Sequence, residues 1–211
     1  MDRKSRRSSN RSGGLSIGFR VFLENHYNSF EHAMTAEELR ALQAPLKAQY
    51  RDQPASALKT LSATGQVQAG SLSCELLTGT GLVSAGLHPA AGGDGSWACS
   101  ADMLLQALVA CAGVTLAAVA KAMELELRNA SVTAEGDLDF RGTLAVSKDA
   151  PVGFSEIRLY FDLDLQDASE DQARKLIQLT ERYCVIYQTL AQPSKLATTV
   201  KWGPKLEQAQ D

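Results

Sequence analysis

The stretch Ser100–Glu124, SADMLLQALVACAGVTLAAVAKAME, constrains the fold more than any other part of the chain. Leu104, Leu105, Leu108, Val109, Cys111, Ala112, Val114, Leu116, Val119 and Met123 leave almost no polar face, and Asp102, Gln106, Gly113, Lys121 and Glu124 interrupt it along a narrow stripe. A helix that is apolar nearly all round is a buried one, packed on more than one side. Ser100 stands where an N-cap hydroxyl is expected, and Asp102 brings a carboxylate to the first turn. The charges that bracket the stretch argue against a bilayer span. A thiol in such a helix is held in one place, which makes Cys111 a candidate for chemistry.

The remaining segments supply the layers that such a helix needs. Residues 1–33 open as a Ser/Arg-rich run and read as a disordered tail or an upstream start outside the native chain, with a targeting peptide as the alternative. Thr35 and Glu38 form a capping box for a helix to about Arg51, whose Leu39, Leu42, Leu46 and Tyr50 share one face and which Pro45 interrupts. Residues 34–57 are therefore an N-terminal helix and linker. Residues 58–88 change to period-two segments cut by Ala69-Gly70 and Gly79-Thr80-Gly81, the pattern of an antiparallel meander. The loop PAAGGDGSWACS then delivers the chain to the central helix.

Beyond Arg128 two strands follow, the clearer being GFSEIRLYFDLDLQ, where Ile157, Leu159, Phe161, Leu163 and Leu165 alternate with polar residues. Ser169 and Gln172 cap a second long helix, SEDQARKLIQLTERYCVIYQTL, with Cys184 beside its apolar stripe, and LATTVKW is read as a closing strand. The order predicts an α+β fold, a mainly antiparallel sheet packed on two long helices. The main domain runs over 58–204, and 205–211 form a tail.

Composition narrows the function classes. The first 33 residues hold six Arg/Lys against three acids, and the remainder carries an excess of six acids, which argues against nucleic acid as partner. Cys74, Cys99, Cys111 and Cys184 show neither C-x-x-C spacing nor a Cys/His cluster, so no metal is expected. With no recognisable secretion signal, the expected compartment is a reducing cytoplasm where thiols stay free. His88 precedes the central helix in a glycine-rich loop that matches no phosphate-binding pattern, and Asp137/Asp139 and Asp162/Asp164 read as solvated strand faces.

Cys111 and Cys184 lie on the two core helices, which are expected to pack on one sheet. Two thiols that meet there can form a reversible disulfide, a pair suited to reducing peroxides through a sulfenic acid. The competing reading is that both are small buried hydrophobes.

The contexts SADMLLQALVACAGVTL and ERYCVIYQTL, separated by a strand pair, resemble the osmotically inducible protein C (OsmC)/organic hydroperoxide resistance (Ohr) family over residues 58–203. The resemblance implies an intertwined homodimer with the thiol sites at its interface. It also implies Cys111 as the peroxidatic residue, Cys184 as the resolving one, and an organic hydroperoxide as substrate. Electrons would return from a small dithiol or a lipoylated protein, with no metal or nucleotide cofactor and no membrane. Asp102 lies at or next to the position where the family's hydroperoxide reductases carry an acid. Their arginine from an early strand has no counterpart, since no Arg occurs between Arg51 and Arg128, and Val185 follows the second cysteine where many members have Pro. A non-catalytic redox-sensing or small apolar ligand-binding module of the same fold is the alternative.

Overall fold

The structure is a computed structural model that describes residues 34–192 and 194–201. The expectations for residues 1–33 and for the tail at 205–211 lie outside these. Helix α1, Ala36–Asp52, begins at the predicted capping box: Thr35 Oγ1 accepts from the Glu38 N–H, and the Glu38 carboxylate accepts from the Thr35 N–H. Pro45 stands inside a continuous helix. A 3-10 turn at Pro54–Ala57 leads to β1 (Gly65–Val67), β2 (Cys74–Thr78) and β3 (Gly81–Gly86), paired antiparallel as a meander. A two-residue strand β4, Ala98–Cys99, adds to β3 in parallel and leads directly into the central helix α2, Ser100–Ala122.

Strands β5 (Glu126–Leu138) and β6 (Phe154–Gln166) pair antiparallel as a second, two-stranded sheet. Between them lies a single helical turn α3, Phe140–Thr143. Their inward residues Val132, Ala134, Ile157, Leu159, Phe161 and Leu163 cover one flank of α2. Gly136 permits that approach, because a Cβ there would lie 2.6 Å from the Phe154 ring and 3.4 Å from Leu105 of α2. On the outward face Arg158 donates to Asp137 Oδ1 at 2.9 Å and also pairs with Glu156 and Glu135. This hydrogen bonding holds the Asp137 carboxyl below its usual range. Helices α4 (Glu170–Tyr183) and α5 (Val185–Ala191) pack on α2, and the predicted Ser169/Gln172 capping box opens α4.

Five expectations change. The one sheet is two, because the meander and the long β5–β6 ribbon do not hydrogen-bond to each other. The residue at the N-cap of α2 is Cys99, not Ser100, since the chain arrives in extended conformation from β4. Of LATTVKW, the described residues 196–201 form no strand, because among the described residues no strand pairs with them. The second long helix breaks at Cys184, whose backbone is extended (φ −72°, ψ 111°).

The fifth change concerns α2 itself. Only the stripe Leu108, Ala112, Leu116 and Ala120 is buried, while Val114 on the far side is 73% exposed. A helix of 23 residues, about 34 Å long at 1.5 Å per residue, is by length and composition able to cross a bilayer, whatever its bracketing charges. Here one stripe of it is the core of the fold, packed on β5, α4 and α5.

Candidate functional site: a thiol pair at a helix break

The site grows from the interruption between α4 and α5. Cys184 closes one helix and opens the next: its N–H donates to the Thr180 carbonyl at 2.9 Å, and its own carbonyl accepts from the Gln188 N–H at 3.0 Å. A break leaves carbonyls at the end of the first helix and N–H groups at the start of the second without partners. On the carbonyl side, Gln188 Nε2 donates to the Glu181 carbonyl at 2.9 Å. On the N–H side the partners are sulfur. The Tyr187 N–H donates to Cys184 Sγ at 3.5 Å, and the Val185 and Ile186 N–H groups act on Cys111 Sγ to lower its pKa. Val185 occupies the first helical position, where proline is favoured because its N–H is otherwise orphaned. The chain turns there without proline and keeps that N–H for a sulfur.

Cys111 reaches this point from α2, beside Leu108 and Ala112 of the buried stripe. Cys111 packs against the buried cluster that holds Cys184, where the Cys184 thiol acts to lower its pKa, and both are free thiols. Cys184 is 1% exposed, packed among Leu108, Ala112, Ile186, Tyr187 and Leu190, whereas Cys111 is half-buried. Their acidities diverge. Burial pushes the Cys111 thiol up, but the N–H groups of Ile186 and Val185, the Cys184 thiol and the Thr115 hydroxyl together outweigh it and leave the thiol below its ordinary value. Burial and the neighbouring Cys111 sulfur push Cys184 up, against the N–H groups of Tyr187 and Ile186. One sulfur thus gives up its proton more readily than an ordinary thiol, and the other holds its proton more tightly. Thr115, one turn along α2 from Cys111, was not among the sequence candidates; the i, i+4 spacing of a hydroxyl from a thiol is the signal that points to it.

The other candidates lie elsewhere. Asp102 is exposed in the first turn of α2, and among the described residues it has no hydrogen bond or ion pair. Nine residues from Cys111, it stands half a turn around the helix and about 13 Å along it. His88 Nδ1 accepts from the Ala90 N–H at 3.0 Å and its ring stacks on Phe140 at 4.9 Å, so it belongs to the loop before β4. Cys74 and Cys99 sit in the first sheet, where Cys74 pairs with Ala85, and Ala85 with Ala98. Cys99, the next residue on, therefore points to the opposite face. Among the described residues no group of three or more His, Cys, Asp or Glu is placed to hold a metal.

Residues 93–199 match the family described as OsmC-like protein, and this span is half of the chain. The chain belongs to the OsmC-like family. Solved structures repeat the assignment at the level of fold. An OsmC-like protein from Mycoplasma pneumoniae is 18% identical, with a TM-score of 0.53 over 64% of this chain and 89% of that one. An OsmC-like protein of unknown function from Vibrio cholerae is 13% identical, with a TM-score of 0.52 over 63% of this chain and 94% of that one. An organic hydroperoxide resistance protein from Elizabethkingia anophelis is 16% identical, with a TM-score of 0.49 over 65% and 91%. The comparison with curated proteins gives no match. Both cysteines of the pair fall inside the OsmC-like span, and α1 falls outside it.

Proposed function

We propose that this OsmC-like chain reduces organic hydroperoxides through a Cys111–Cys184 cycle. The observation that carries the reading is the packing of Cys111 against the cluster of Cys184 at a helix break, where the N–H groups of Val185 and Ile186 act to lower its pKa. The Cys111 thiolate attacks the outer oxygen of ROOH, the O–O bond breaks, and the sulfur becomes a sulfenic acid while RO− leaves as the alcohol. Cys184 then attacks that sulfur, displacing water as the disulfide forms. A dithiol, free or as a lipoyl group on a protein, reduces the disulfide by exchange and is itself oxidised.

The N–H donors also answer the missing arginine. Cations and helix N-termini lower thiol pKa values in other proteins. Here backbone N–H groups and the Thr115 hydroxyl supply the stabilisation that a guanidinium supplies elsewhere. Asp102 is assigned no part within one chain. The working unit is a homodimer in a reducing cytoplasm. This part of the reading is supported by the uncovered apolar flank of α2 and by exposed Leu77 and Leu82 in the meander, more apolar surface than a lone soluble chain usually leaves open.

The test is consumption of cumene hydroperoxide by the reduced protein with a dithiol present. The expected outcome is turnover that Cys111→Ser abolishes. A wild-type rate equal to that of Cys111→Ser removes the enzyme and leaves a redox-sensing or ligand-binding module.

A further inference from the structure

The cycle leaves one proton unassigned. When the O–O bond of an alkyl hydroperoxide breaks, the departing oxygen is an alkoxide, a strongly basic leaving group that needs a proton in or near the transition state. The flank of Cys111 that carries Cys184 is dry: Cys184 is 1% exposed and enclosed by Leu108, Ala112, Ile186, Tyr187 and Leu190. Two side-chain donors act on the Cys111 sulfur, the Cys184 thiol of the cluster it packs against and the Thr115 hydroxyl one turn along α2. An aliphatic hydroxyl is a far weaker acid than a thiol, and Thr115 would have to recover its proton from elsewhere.

Resting on the peroxidase reading, we propose that Cys184 is also the general acid of the first step, delivering its thiol proton to the departing alkoxide as Cys111 is oxidised. The balance closes. Cys111–S−, Cys184–SH and ROOH give Cys111–SOH, Cys184–S− and ROH. The thiolate left on Cys184 then attacks the sulfenic sulfur, and hydroxide leaves and is neutralised by the proton that Cys111 released to the buffer on ionising. One transfer thus serves both steps, because the thiolate and not the thiol is the nucleophile in forming a disulfide. Protonated Cys184 cannot attack early, and it becomes competent only when there is a sulfenic acid to attack. Its burial keeps the proton on sulfur until an alkoxide appears, which is the state that the neighbouring Cys111 thiolate also favours.

A comparison of leaving groups tests this. tert-Butyl hydroperoxide expels an alkoxide, whereas peracetic acid expels acetate, which needs no proton. Single-turnover oxidation of reduced protein is followed by dimedone capture at Cys111 and mass spectrometry. Cys184→Ala is expected to slow the reaction with tert-butyl hydroperoxide about 10²-fold relative to the reaction with peracetic acid, the low end of general-acid effects. Cys184→Ser, which keeps a donor, is expected to recover part of that ratio, and Thr115→Val to leave it unchanged. Equal slowing of both oxidants by Cys184→Ala would mean that Cys184 only positions Cys111, and it overturns the proposal, as does no slowing of either. The wild type supplies a reading independent of variant folding: a solvent deuterium effect with tert-butyl hydroperoxide and none with peracetic acid, the reverse or an equal effect being contrary. A wild type inert to both oxidants sinks the peroxidase reading itself, which is a separate result.

Discussion

The two halves of this chain are folded to different degrees. From α2 onward the chain has an interior: Leu108, Ala112, Leu116, Ala120, Leu176, Thr180 and Cys184 are buried, and β5, β6, α4 and α5 close around them. From Met34 to Cys99 no residue is buried, although the same alternation of apolar and polar residues is present. Leu42 and Leu46 of α1 and Leu77 and Leu82 of the meander face outward. Local rules are satisfied in both halves, with capped helices, glycine turns and paired strands. Among the described residues only one half has surface to bury against. Hydrogen bonds and caps specify where elements begin and end, whereas burial of apolar area supplies most of the favourable free energy. Among the described residues the N-terminal half is a set of correct elements with no buried apolar surface, and the uncovered flank of α2 has the same character.

The sharpest way to break this contrast is a charge on that flank. Val114 is 73% exposed, so in a lone chain Val114→Arg is within about 0.5 kcal/mol of neutral, the usual range for surface substitutions. In a homodimer covering the flank, the same change buries an unpaired cation, an effect of about 3–5 kcal/mol when a charge is left without its partner. Sedimentation equilibrium is expected to show a wild-type dimer and a Val114→Arg monomer. A variant that behaves as the wild type would show that the flank stays open, and the two halves would then differ for some other reason.

Next in size is the interior itself. Leu176 is fully buried between α4 and α2, and Leu176→Ala is expected to cost about 2–5 kcal/mol in urea unfolding. Leu42→Ala, on exposed α1, is expected to cost less than about 1 kcal/mol, since most of that side chain already meets solvent. Equal costs would mean that α1 is covered as thoroughly as the core.

Much of this was legible in the sequence, and what was not has a common cause. The capping boxes at Thr35/Glu38 and Ser169/Gln172, the meander, and the alternation in β6 depend on neighbours within a few residues, and they stand where the pattern puts them. The break at Cys184 was not legible, because ERYCVIYQTL has helical spacing throughout and neither glycine nor proline. The signal that ends α4 is tertiary. At the break the Tyr187 N–H turns to the Cys184 sulfur, and those of Val185 and Ile186 act on Cys111, 73 residues earlier. For the same reason the sequence named Cys111 and Cys184 as candidates but assigned the support of the thiolate to no residue. Asp102 differs again: it stands in the first turn as read, and within one chain nine helical residues carry it to the side of α2 away from Cys111.

The smallest expected effect concerns the chemistry of the packed half. Cys111 lies below the ordinary thiol value and Cys184 above it. Iodoacetamide reacts with thiolates, so alkylation of Cys111 at pH 7 is expected to exceed that of an unperturbed thiol of pKa near 8.5, which is only a few per cent ionised there. Each unit of lowering is worth about tenfold in thiolate while the pH stays below the shifted value. The sign is fixed by the acid form being neutral. Alkylation falls as the pH is lowered through the Cys111 value and reaches a plateau above it, while Cys184 stays unreactive until higher pH. Two variants divide the cause. Thr115→Val removes one of four donors and is expected to move the Cys111 midpoint up modestly, with the plateau rate unchanged. Val185→Pro removes another N–H at a helix position that tolerates proline, so it is expected to raise the midpoint with little loss of stability. A midpoint that ignores both substitutions would mean that the broken helix does not hold the thiolate. The packed half would then be a better-buried version of the open one, without the electrostatic design that sets it apart.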